Sequence, residues 1–254
     1  MPRVRRGWSV AGLVVLGFLA AACGSSSPES KPQTSSIVAL GDSVPRGTNC
    51  DCTPYPPLTA DGLTASTGRT VTATNDSVAG YTTSNVVHQL DSDGDVIDHL
   101  RAANTVEIEI GANDVAYSSS CGTTVDCYAP RVPTIEKNLA AIVERVHDLT
   151  SGHKVLVVLL DYWSVWLGGQ YAAAKGEAYV HAAEAMTDKV NAVIKATAAE
   201  SGSAYVDLRA AFKGPDYSYD ETHYLSSDGD HPNAAGHKRI AQATETVIEK
   251  AHHI

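Results

Sequence analysis

Ser43 closes a short apolar run, Ile37-Val38-Ala39-Leu40, that stops abruptly at Gly41-Asp42. Such a run reads as a buried strand. In an α/β protein, ligands gather outside the carboxyl ends of parallel strands, so a hydroxyl at that point is placed to do chemistry. Serine is a weak nucleophile until a base takes its proton, and that base needs a carboxylate to fix its tautomer and stabilise the imidazolium. Far downstream, Ser226-Ser227-Asp228-Gly229-Asp230-His231-Pro232-Asn233 offers both groups on one loop. Asp228 stands three residues before His231, and Pro232 restricts the histidine backbone to extended conformations. Asp230 is a rival orienter, but adjacent side chains on an extended backbone point apart. Taken singly, these stretches also describe an ordinary turn and a helix cap.

Acyl transfer builds negative charge on a carbonyl oxygen, which preorganised N–H donors stabilise by roughly 3 kcal/mol each. Gly111-Ala112-Asn113-Asp114 follows the run Thr105 to Ile110 and puts the Asn113 amide at another strand end. Asn75-Asp76-Ser77-Val78-Ala79-Gly80 follows Arg69 to Thr74 in the same way, and a glycine lets the backbone approach an oxyanion. Asn113, Gly80 and the Ser43 N–H thus form a candidate oxyanion hole. A lone Gly or Asn in a loop is usually a turn residue; four such features in order, each at a strand end, are not explained that way.

At these four blocks the sequence resembles the SGNH, or GDSL-type, serine hydrolases, named for Ser, Gly, Asn and His. Ser43 stands in Gly-Asp-Ser, Gly80 in the second block, Asn113 in Gly-x-Asn-Asp, and His231 with Asp228 in Asp-x-x-His. The resemblance runs from Ile37 to about Ile248. It implies a flavodoxin-like three-layer α/β/α fold and ester hydrolysis with no metal and no cofactor. Two departures stand out: Val44 replaces a leucine after the serine, and the Gly80 block has no cysteine, so the disulfide pattern of some exported lipases is not carried over.

The positioning elements alternate. Ile37–Leu40, Arg69–Thr74, Thr105–Ile110, Lys154–Leu160 and Ala204–Leu208 read as five strands. Ser84–Leu90, Val96–Leu100, Pro133–Leu149, Ala172–Ala199 and Ala234 to about Lys250 read as helices, the third carrying an apolar stripe of Ile135, Leu139, Ile142, Val143, Val146 and Leu149. Strands alternating with helices indicate a central five-stranded parallel sheet covered on both faces. Glu107 and Glu109 share one face of the third strand, which is odd for a central position.

The chain has 254 residues, and its start is read as a leader. Arg3, Arg5 and Arg6 precede the apolar stretch Val10 to Ala22, the layout of a signal peptide over 1–22. Cys23 then opens a Ser- and Pro-rich tether, 23–36, before a hydrolase domain over 37–254. The leader resembles a lipoprotein signal, in which Cys23 is lipidated, although Ala20 stands where Leu is usual and Leu19 is one place too early. Cleavage after Ala22 into a free secreted protein is the other route; the first is favoured. With 19 Lys and Arg against 29 Asp and Glu the net charge is −10, and loss of the three leader arginines takes it to −13. That balance argues against nucleic acid.

Cys50, Cys52, Cys121 and Cys127 remain, an even number suited to two disulfides in an exported protein. Pairing within or across the two clusters is open, and the spacings are not those of zinc fingers. Tyr162, Trp163 and Trp166 follow the fourth strand and could line an acyl or sugar pocket, or cap the core. Tyr217, Tyr219 and Tyr224 could form a lip. Asp91 to Asp95 starts like a calcium loop, but Val96 and Ala102 stand where Gly and Glu are needed. No G-x-S-x-G and no phosphate-binding loop is present. The expectation is an exported, monomeric serine esterase or lipase acting on a small ester, a lipid or an acylated glycan. The alternative is a weakly or non-catalytic surface module that binds glycan or lipid on the same fold.

Overall fold

The computed structural model describes residues 35–252, with 1, 2, 4, 7 and 8 near the start. The leader and tether, with Cys23, therefore lie almost wholly outside the described residues, and contacts divide the chain into two units, Met1–Lys31 and Pro32–Ile254. In the second unit, strands β1 (Ser35–Gly41), β2 (Val71–Asn75), β3 (Thr105–Glu109), β4 (Leu156–Leu160) and β5 (Ala204–Val206) form one sheet in the order β2-β1-β3-β4-β5. Every pairing is parallel, so all carboxyl ends lie on one edge. β1 begins two residues inside the stretch read as tether.

The helices are α1 (Ser43–Arg46), α2 (Tyr55–Thr67), α3 (Thr83–Ser92), α4 (Gly94–Arg101), α5 (Val125–Tyr128), α6 (Val132–Leu149), α7 (Gly169–Ala173), α8 (Glu177–Ser201), α9 (Leu208–Lys213) and α10 (Ala234–His252). α2 and α10 pack together over one face of the sheet, while α6 packs between α3 and α8 over the other. This is the three-layer α/β/α fold. The apolar stripe expected on α6 is buried from Ile135 to Val146, and β4 contributes Val157 to Leu160 to the same interior.

Several elements differ from the reading of the sequence, three of them for a clear physical reason. α2 was not among the expected helices; its prolines, Pro56 and Pro57, occupy the first turn, where the missing N–H and fixed φ cost nothing. The helix expected over Ala172–Ala199 is two helices, separated at Gly176 with φ +93°. The fifth strand ends at Val206, because Asp207 caps α9 by accepting the Ala210 N–H at 2.7 Å.

β3 is the central strand, and Glu107 and Glu109 are fully buried on it. Their parallel neighbours in register on β1 are Ala39 and Gly41, which share their face and leave it room. Gly41 is obligatory for that closeness: at φ +152°, a Cβ there would lie 2.1 Å from the Glu109 carbonyl oxygen.

Candidate active site

Ser43 opens α1 at the end of β1. Asp42 caps the turn by accepting the Val44 N–H on Oδ1 at 3.0 Å and the Tyr162 hydroxyl on Oδ2 at 2.6 Å. Burial pushes the Asp42 carboxyl up to about 6, against the pull of those two donors. The Tyr162 main chain is itself fixed by Asn191, whose side chain bonds both its N–H and its carbonyl. The Ser43 turn is thus tied into α8 through buried polar contacts.

The β2 and β3 ends are stapled to each other. The Asn113 amide donates to the Tyr81 carbonyl at 2.9 Å. Asp114 accepts the Thr83 N–H at 2.9 Å and its hydroxyl at 2.7 Å, which holds the start of α3. A side-chain amide carries two N–H bonds, so Asn113 is oriented by one and keeps the other. The N–H groups of Ser43 and Gly80 have no acceptor among the described residues. Gly80 has φ +81° and open space where a Cβ would be; glycine is needed there for the backbone conformation rather than to relieve contact with the protein.

Asp228 Oδ2 lies 2.7 Å from His231 Nδ1. Asp228 Oδ1 accepts the N–H groups of Asp230 at 3.0 Å and His231 at 3.1 Å. Although partial burial opposes ionisation, these backbone donors, with the His231 ring and the Asn49 amide, hold the Asp228 carboxyl down at about 2. An ionised Asp228 fixes the tautomer with hydrogen on Nδ1, leaving Nε2 free as a base. Asp230 makes no such contact with the imidazole and stands exposed at the cleft.

Ser43, Asn113, Asp230 and His231 line one cleft of about 390 Å³. Among the described residues no hydrogen bond joins Ser43 Oγ to the imidazole; such bonds often tighten only when substrate is present. Tyr162, Trp163 and Trp166 do line the cleft, but each is at most 3% exposed. Trp166 Nε1 donates to the Val115 carbonyl at 2.8 Å, and Trp163 stacks on Phe212 at 4.4 Å. They are core residues whose edges form the cleft floor, joined by Tyr117, Lys175 and Tyr179, which the sequence did not single out. Tyr217, Tyr219 and Tyr224 do not line it; Tyr217 bonds Asp207 and Tyr224 packs on Phe212.

The cysteines pair within clusters, Cys50 with Cys52 and Cys121 with Cys127, which removes cross-pairing. Cys50, Cys52 and His237 put ligand atoms within 4.8 Å of one another. Joined as a disulfide, however, the two sulfurs offer no thiolate to a metal. Among the described residues no helix is long and apolar enough to cross a membrane.

A three-layer α/β/α sandwich with a serine turn, an amide and an Asp-His pair on the carboxyl side of its sheet is the arrangement of a serine hydrolase. Residues 39–239 match the model of the GDSL-like lipase/acylhydrolase family; the chain belongs to that family, and is a hydrolase of the esterase and lipase type. The fold is shared with the lipase Lip_vut3 from a goat rumen metagenome (TM-score 0.64, 18% identity, 84% of this chain and 97% of that one). It is shared too with the acetylxylan esterase Axe2 from Geobacillus stearothermophilus (0.61, 20%, 84% and 94%) and with TesA (0.59, 18%, 85% and 98%). A search of curated protein sequences found no significant match.

Proposed function

We propose that the protein is an exported serine esterase that cleaves carboxylic esters with short acyl groups through an acyl-enzyme. His231 Nε2 takes the proton of Ser43 Oγ, which attacks the ester carbonyl. The Ser43 N–H, the Gly80 N–H and the free Asn113 N–H receive the oxyanion. His231 then protonates the departing alcohol, and water releases the acid by the same steps in reverse. Asp228 orients the ring and stabilises its charged form. The observation that carries this reading is the Asp228–His231 contact at 2.7 Å, with the ring opening onto the cleft that Ser43 lines.

A cleft of about 390 Å³ is near the small end of small-molecule sites, which favours a short acyl group with part of its alcohol over a long fatty chain. Two of the structural neighbours, a lipase and an acetylxylan esterase, act on esters of that general kind. Export rests on the leader pattern and on two disulfides, which persist in oxidising compartments. Lipidation at Cys23 is part of the proposal; intact-mass measurement of the mature N-terminus distinguishes it from cleavage after Ala22.

The test is hydrolysis of short p-nitrophenyl esters together with labelling by a fluorophosphonate. Wild type should turn over and be labelled once, and Ser43→Ala should lose both. Activity retained in Ser43→Ala overturns the scheme, and an unlabelled, inactive wild type points to a binding module.

A further inference from the structure

Asp228 Oδ2 receives a second donor, the side-chain amide of Asn49. Asn49 Nδ2 also lies 3.5 Å from His231 Nδ1, so imidazole and amide converge on one carboxylate oxygen. Asp228 Oδ1 takes the two backbone N–H groups. Four donors thus complete the lone-pair capacity of this carboxylate, and Asn49 is the one that comes from outside its own loop. The amide must present nitrogen here, since its oxygen would face a carboxylate.

An exposed side chain would hold such a bond poorly unless its backbone were fixed. Asn49 is fixed in three ways. Its φ of +57° places it in the left-handed region that Asn tolerates better than most residues. Its carbonyl accepts the Ser226 hydroxyl at 3.0 Å, which ties it directly to the Asp228 loop. The next residue begins the Cys50–Cys52 disulfide, a ring that limits the freedom of the segment leading into α2.

We infer that Asn49 is a positioning residue for Asp228, and through it for His231: it fills the second site on Oδ2 and links the segment after Ser43 to the loop carrying the base. This rests on the reading of Asp228 as the carboxylate partner of His231. The amide withdraws charge from Oδ2, so removing it strengthens the hold of Asp228 on the protonated imidazole while loosening the geometry.

The test compares Asn49→Gly and Asn49→Asp with wild type on a short p-nitrophenyl ester across pH, with thermal unfolding measured alongside. Both replacements tolerate the left-handed backbone, so they separate the amide from the conformation. Asn49→Gly should lower kcat about 10-fold, the order expected for one hydrogen bond to a charged group, with KM little changed. The acidic limb of the kcat/KM profile should move to higher pH in Asn49→Gly, and further in Asn49→Asp, where a carboxylate replaces a donor. A folded Asn49→Gly with wild-type kcat and an unmoved acidic limb overturns the inference. Full activity in Asp228→Asn would instead overturn the reading beneath it, whatever Asn49 does.

Discussion

Asp228 and Asp230 show how much a single position decides. Both are within reach of His231 along the chain, but only Asp228 folds back to place Oδ2 on Nδ1 at 2.7 Å, because its Oδ1 is caught by the next two backbone N–H groups. Asp228→Asn should therefore cut kcat by about 10³- to 10⁴-fold, the scale of losing the tautomer-fixing carboxylate in a triad. Asp230→Asn should lose less than about fivefold, since it offers only an exposed charge at the cleft. Steady-state kinetics on one ester checks both, and a larger loss in Asp230→Asn would reverse the assignment. Asp42 repeats the lesson: its place in Gly-Asp-Ser suggests chemistry, yet its oxygens are taken up by Val44 N–H and the Tyr162 hydroxyl. It builds the turn.

At the scale of elements, the site depends on β1 and β3 running close enough to bring their loops to one edge. Gly41 lies in register with Glu109, and the next residue, Asp42, donates its N–H to the Glu109 carbonyl at 3.3 Å. A Cβ at Gly41 would meet that same carbonyl at 2.1 Å, so the strands would have to part. Gly41→Ala should destabilise the fold by about 3 kcal/mol, a fall of roughly 6–12 °C in unfolding midpoint for a domain of this size. Thermal unfolding measures it; a midpoint within 2 °C of wild type, as for a neutral surface change, would show that the strand pair has slack.

Across the whole molecule, the layer beneath α2 and α10 is unusually polar. Glu107 and Glu109 have no hydrogen-bond partner among the described residues, and neither does the Tyr55 hydroxyl facing Glu109. Burial pushes both carboxyls well above the ordinary 4.5, helped at Glu107 by the charge of Glu245 and at Glu109 by Asp42. Folding therefore holds protons that the unfolded chain has released. The stability this gives is fully present below about pH 4.5 and is lost as pH rises toward the folded values, by about 1.4 kcal/mol per pH unit for each carboxyl. Glu107→Gln removes that dependence at one site. Urea unfolding at pH 5 and pH 8 should show a smaller decline in the variant than in wild type, and equal declines would mean Glu107 is ionised in the fold.

Sequence alone determined the alternation of five strands and their covering helices, and the candidate blocks, of which those of Ser43, Gly80 and Asn113 follow β1, β2 and β3 while Asp228 and His231 lie beyond α9, well past the end of β5. Buried parallel strands need continuous apolar runs, and a hydrolytic site needs a hydroxyl, a base, a carboxylate and donors, so both leave patterns in residue type. Tertiary structure alone decided what depends on contact between distant segments. It brought Asn49 onto Asp228, turned Trp163 and Trp166 into core residues with one edge on the cleft, and paired each cysteine within its own cluster. It also explained the glutamates of β3, whose burial is possible because Ala39 and Gly41 lie beside them. None of these follows from spacing along the chain, since each is set by which side chains the packed sheet brings within a few ångströms of one another.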